Sequence, residues 1–171
     1  QRSRGRGVRV GMSVAHARSL VAELPVQLQP YTPQEDAAAL LKLARWMLRF
    51  APVVSPDKPD GLLLDIAGCA KLFDGEFNHV RRIASALQAW GLLPRLAVAP
   101  TFACARAVAR FGKEQIALVG AESIGNVMAS LPIRALRIDD DIADSLHDVG
   151  IERVESLLAL PRDELAARFG K

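Results

Sequence analysis

The chain has few of the residues that carry covalent chemistry. Only two of its 171 residues are cysteine, Cys69 and Cys104. They form no Cys-x-x-Cys pair, which excludes the usual zinc and redox motifs; reduced thiols packed as small core groups in a cytosolic protein are expected. The three histidines, His16, His79 and His147, are scattered. None has a second ligand three or four residues on, so a helical zinc pair is excluded and each reads as a solvated or packed helix residue. No serine sits in a nucleophile elbow, and no Walker-type glycine loop is present. Aromatics make up 5% of the chain, too few for a base-stacking platform on single strands. No apolar run reaches the roughly 18 residues of a membrane span, and no signal peptide is visible.

Half of the residues are apolar, enough for a buried core, and 171 residues suffice for one medium domain or two small ones. The net charge of +3 and pI near 9.2 are compatible with nucleic acid without requiring it. The chain opens at Gln1 and stops just after Phe169-Gly170, so it is expected to be a fragment. The first nine residues carry four arginines, Arg9 among them. They read either as a mobile basic arm or as a phosphate-contacting segment.

Ser13 is placed to cap a helix bearing Val14, Ala17, Leu20 and Leu24 and ended by Pro25. The alternation in 26–31 predicts a short strand. Thr32-Pro33-Gln34-Glu35 predicts a capping box, in which Thr32 accepts from the Glu35 amide and Glu35 reaches back. Leu40, Leu43, Met47 and Phe50 then mark an amphipathic helix to about residue 50. Val53-Val54 and 62–66 are expected to pair as strands across Pro-Asp-Lys-Pro-Asp-Gly. Phe77, Val80, Ala84 and Leu87 mark the next helix, with Gly91 as its stop. A strand in 94–100, a helix from Thr101 to Phe111 and a strand in 114–120 follow. Beyond Gly120, short helices are expected at 121–130, 140–148, 153–159 and 161–169, forming a separate small subdomain. This order predicts an α+β fold, with helices on one face of a mainly antiparallel sheet. Three parts are expected: 1–30, 31–120 and 121–171.

Two features bear on function. Asp60 and Asp65 flank the apolar run Leu62-Leu63-Leu64, the placement a metal-dependent phosphoryl-transfer site needs. Yet Asp60 is followed by Gly61, not by a second acid. Asp60 therefore reads either as a turn residue or as a remnant metal ligand, and Asp65 as a cap on the turn at Gly68. Arg106, Arg110 and Lys113 fall at spacings of four and three on one helix face. That face is either simply solvated or a stripe touching a DNA backbone.

Four segments are similar to the Y-family translesion DNA polymerases, and most to their ImuB-like branch: 7–20, 59–76, 96–112 and 131–170. Together they resemble the edge of the fingers, a ferredoxin-like palm lacking its first strand, and a thumb with two helix-hairpin-helix-like turns. In active members of that family, paired carboxylates hold two magnesium ions. The resemblance puts Asp60 at the first position of the Asp-Glu pair and Gly61 at the second, which cannot bind a metal. It puts Thr101 and Phe102 where the family has an Asn-Lys pair, with the lysine directed at the triphosphate. In the thumb, Arg137-Ile138-Asp139-Asp140-Asp141 replaces a glycine-bearing turn; the acids read as a helix N-terminus or as a deterrent to phosphate. The implied role is non-catalytic, without a cofactor. The protein would dock on DNA in SOS-type damage tolerance in the bacterial cytoplasm, beside an error-prone replicative-type polymerase, a RecA-like accessory protein and the sliding clamp. Two alternatives stay open: an active lesion-bypass polymerase using Mg2+, and a palm-like module for protein contact alone.

Overall fold

A computed structural model describes residues 7–8, 11–22, 28–161 and 163. Residues 1–38 and 39–171 fall into two compact units. The first holds helix α1, Val14–Leu20, and the start of helix α2, Pro33–Met47. Ser13 caps α1 as its position predicts: its hydroxyl accepts from the His16 amide at 3.2 Å. The helix ends at Leu20; Leu24 and Pro25 lie outside the described residues. The strand expected in 26–31 is absent from 28–31, while 26 and 27 lie outside the described residues.

The start of α2 differs from the expected capping box. The Thr32 hydroxyl donates to the Glu35 carboxylate at 3.1 Å, and the Glu35 amide donates to the Thr32 carbonyl. A charged oxygen is the stronger acceptor and takes the hydroxyl proton.

In the second unit, strands β1, Val53–Asp57, and β2, Gly61–Asp65, form an antiparallel hairpin. Val54 pairs with Leu64 and Pro56 with Leu62. Strand alternation places these four on one face. Val54, Leu62 and Leu64 pack there against a core of Met47 from α2 and Ile83 and Leu87 from helix α3, Glu76–Gln88. The opposite face carries Asp57, paired directly across from Gly61.

The α3 face is legible in the sequence except at its start. Val80, Ala84 and Leu87 are buried as expected, joined by His79 and Ile83, whereas Phe77 is 54% exposed. Gly91, at φ +76°, stops the helix. Its amide donates to Gln88, and the next amide donates to Leu87, the paired bonds of a left-handed C-terminal cap.

Strands β3, Leu96–Val98, and β4, Ile116–Leu118, run parallel, linked through helix α4, Phe102–Phe111. A parallel pair needs such a crossover. Thr101 caps α4, accepting from the Cys104 amide at 3.2 Å. After Gly120, a 3-10 turn at Ala121–Ser123 leads into α5, Ile124–Ala129. A second 3-10 turn, Ile133–Leu136, precedes α6, Asp140–Asp148, and α7, Val154–Leu158. Leu131 and Ala135 share one buried cluster with Cys104, Ala107 and Val108 of α4, so the segment after Gly120 builds its core on α4. The helix expected at 161–169 falls almost entirely outside the described residues.

Candidate functional site

The hairpin turn and α4 meet in a cluster of charges. Asp57, the last residue of β1, is only 7% exposed. Its Oδ2 accepts from Arg106 Nε at 2.8 Å and from Arg110 Nη2 at 3.2 Å. Its Oδ1 lies 3.6 Å from Arg137 Nη1. Arg110 also reaches forward, with Nη1 2.8 Å from Asp60 Oδ1. One guanidinium therefore bridges two carboxylates, the arrangement in which arginine's planar fork outperforms a point charge.

The helical spacing of four puts Arg106 and Arg110 on the same side of α4. The alternation of β1 and β2 puts Asp57 and Gly61 on the hairpin face that the apolar core leaves free. Gly61 has no side chain to intervene. A Cβ there would lie 3.0 Å from Arg110 Nη2, 3.0 Å from the Asp57 carbonyl oxygen and 3.3 Å from Asp57 Oδ2.

Burial pushes the Asp57 carboxyl up, but the hydrogen bonds and charges of Arg106 and Arg110 more than reverse this and hold it below the ordinary carboxylate range. On Arg110, burial favours loss of the proton, while Asp60 and Asp57 outweigh it and hold the proton more firmly. Asp57 and Arg110 are thus each held in the charged form, an ion pair rather than a proton-transfer site.

The other predicted residues lie as follows. Asp65 accepts from the Ala67 amide at 3.0 Å, the turn-capping role expected of it. Lys113 lies beyond α4, which ends at Phe111 with an extended Gly112, so it does not share the helix face of Arg106 and Arg110 as expected; it is exposed and has no ion pair among the described residues. Arg9 lies outside the described residues. Phe102 opens α4 and is 53% exposed. Asp140 and Asp141 occupy the first turn of α6, where the macrodipole favours acids. Asp140 and Asp144 both pair with Arg134 at 2.5 Å. Asp57 is the residue that sequence reasoning missed. Its partners lie 49 and 53 positions away, and an acid in a proline-containing strand end reads locally as a turn residue.

The chain matches the profile of the IMS family, impB/mucB/samB, over residues 1–110. It belongs to the impB/mucB/samB family. Protein ImuB of Caulobacter vibrioides (strain NA1000 / CB15N) is 41% identical over 165 residues, covering 96% of this chain and 35% of that protein. DNA polymerase IV of Shewanella sp. (strain ANA-3) is 25% identical over 172 residues, covering 96% and 46%. Crystallographic DinB from Sulfolobus solfataricus superposes with a TM-score of 0.78 at 20% identity, over 99% of this chain and 50% of that one. The insertion ternary complex of Dbh DNA polymerase gives the same figures. The chain is thus an ImuB homologue with the mixed helix-and-sheet fold of Y-family polymerases, and it spans between a third and a half of the curated relatives it matches.

The divalent metals that the Y family implies do not fit these residues. Asp57 and Asp60 are engaged by guanidinium groups, and Gly61 has no ligand to offer. Among the described residues, no three His, Cys, Asp or Glu side chains converge as a metal site would require.

Proposed function

We propose that the chain is the palm-and-thumb portion of a non-catalytic Y-family protein in DNA damage tolerance. The observation that carries this reading is Arg110 bridging Asp57 and Asp60 across Gly61. Two-metal nucleotidyl transfer needs open carboxylates to neutralise the developing charge; here Asp60, the one acid at a corresponding position, is already paired with Arg110. Phe102, at the position that resembles the triphosphate-directed lysine, is exposed and uncharged, which supports the same conclusion.

On this reading residues 1–30 form a fingers-edge segment, 31–120 the palm-like part and 121–171 the thumb-like part. The protein docks on DNA, through Lys113 and the arginine-rich start including Arg9, and serves an error-prone polymerase alongside a RecA-like accessory protein and the sliding clamp. Those partners are engaged through parts of the longer protein, in the bacterial cytoplasm.

Primer extension by the full-length protein tests the reading. No nucleotide incorporation is expected with Mg2+ or Mn2+. Incorporation that disappears in Asp60→Ala would establish the alternative of an active lesion-bypass polymerase.

A further inference from the structure

We infer that the Arg110 guanidinium takes the structural place of a divalent metal in this palm, and that Gly61 is fitted to it rather than merely eroded. The inference rests on the non-catalytic reading and goes beyond it, because a site that had simply lost an acid would leave a gap with free carboxylates. The geometry is different. A metal at such a site draws carboxylates from adjacent positions together. Arg110 does this with its two terminal nitrogens, Nη1 on Asp60 at 2.8 Å and Nη2 on Asp57 at 3.2 Å. Arg106 and Arg137 complete the cage around Asp57, so three guanidinium groups face two carboxylates, and a further cation would meet a surplus positive charge.

Gly61 sits directly across the hairpin from Asp57. Any other residue would bring its Cβ within 3.0 Å of both Arg110 Nη2 and the Asp57 carbonyl. The side chain at 61 and the guanidinium of 110 therefore compete for one volume. A glutamate at 61 would have to displace Arg110 or be captured by it. A separate observation points the same way. Arg137 holds φ +58°, a left-handed conformation that glycine adopts freely and arginine adopts at a cost, and from there its guanidinium reaches Asp57. Arginine at that position is accounted for by the charge it delivers.

Two measurements on the 171-residue chain test this. In the first, Mn2+ is titrated to millimolar concentration while backbone amide signals are followed by NMR. No paramagnetic broadening centred on Asp57 and Asp60 is expected in the wild type. In the second, thermal midpoints are compared for Gly61→Ala, Arg110→Ala and the double variant. Gly61→Ala is expected to lower Tm by about 3 °C in the wild-type background, and by measurably less once Arg110 is removed, because neighbours sharing a volume are non-additive while the contact with the Asp57 carbonyl persists in both backgrounds. Broadening at Asp57 and Asp60 in the wild type, or equal Tm losses in the two backgrounds, overturns the inference. The wild-type titration decides even if Arg110→Ala fails to fold. Neither result depends on primer extension, so an active polymerase would overturn the functional reading by a different measurement.

Discussion

Apart from the two cysteine thiols, Asp57 and His79 are the ionisable side chains buried among the described residues, and the fold treats them in opposite ways. Asp57 is surrounded by partners. His79 is fully buried and stacked on Phe73, with ring centroids 3.9 Å apart and planes 2° from parallel. Neither of its ring nitrogens has a hydrogen-bond partner of acceptable geometry. The Phe50 backbone lies near enough to favour the protonated ring slightly, but burial dominates and lowers the pKa. Both groups are thus depressed on folding, and both make the unfolded chain bind more protons as pH falls. For His79 the stability contribution is complete above the unfolded value near 6.5 and is lost as pH drops below it. For Asp57 the loss begins only below about pH 3.8. Urea unfolding followed from pH 7.5 to 5 should therefore show stability falling, with a slope of at most ~1.4 kcal/mol per pH unit for each proton. His79→Leu should flatten that interval. Asp57→Asn should leave the interval's slope unchanged and lower the whole curve by ~2 kcal/mol, because it removes the carboxylate from the partly buried guanidinium groups of Arg106 and Arg110. An unchanged slope in His79→Leu would show that the ring is not the group responsible.

Helix α4 is where sequence legibility ran furthest and then stopped. Its limits, its Thr101 cap and its apolar face follow from a 3.6-residue period and ordinary capping chemistry, and the limits of α6 match those expected from the sequence. Arg106 and Arg110 are legible as basic residues four apart on the polar face of α4, but the end of the helix before Lys113 and the occupants of the surroundings are not. Arg106 and Arg110 turn to acids about fifty residues earlier, while Lys113 faces solvent. Local pattern carries no record of such distant pairing. Arg95 is a second case. From just before β3 its Nε donates to the Ala109 carbonyl at 2.8 Å, and its Nη2 donates to the carbonyls of Gly112 and, at 2.9 Å, Glu114. Those carbonyls lie at and beyond the helix C-terminus, where acceptors lack intrahelical partners and cations are favoured. One exposed side chain thus ties β3, the end of α4 and the approach to β4 together. Arg95→Ala should cost about 1.5–3 kcal/mol in chemical denaturation, the range for hydrogen bonds to a charged donor. Arg95→Lys should recover little of it, since a single ammonium cannot address three divergent carbonyls. Full recovery by lysine would mean that charge alone, and not the planar fork, does the fastening.

At the scale of the whole molecule, the modest charge excess of +3 understates how unevenly positive charge is committed. Arg106 and Arg110 are bound to Asp57 and Asp60, Arg134 to Asp140 and Asp144, and Arg82 to Asp74. Arginines already paired with carboxylates contribute less to counterion release when DNA arrives, so the expected salt dependence is set mainly by what is left over. Lys113, just past the end of α4, is still offered to solvent. If the chain docks on DNA as proposed, its affinity for a short duplex should fall with salt on a shallow log–log slope, corresponding to a few phosphates rather than the many an undivided basic stripe would engage. Lys113→Ala should reduce that slope by about one contact while leaving thermal stability unchanged. Arg106→Ala should do the reverse, weakening the fold without changing the slope of the protein that remains folded. Fluorescence anisotropy across 50–300 mM salt distinguishes the two, and an affinity indifferent to salt would turn the reading toward a palm-like scaffold for protein partners alone. A slope that drops equally with either substitution would mean that DNA displaces Asp57 from Arg106, making the ionic cluster a site that opens on binding.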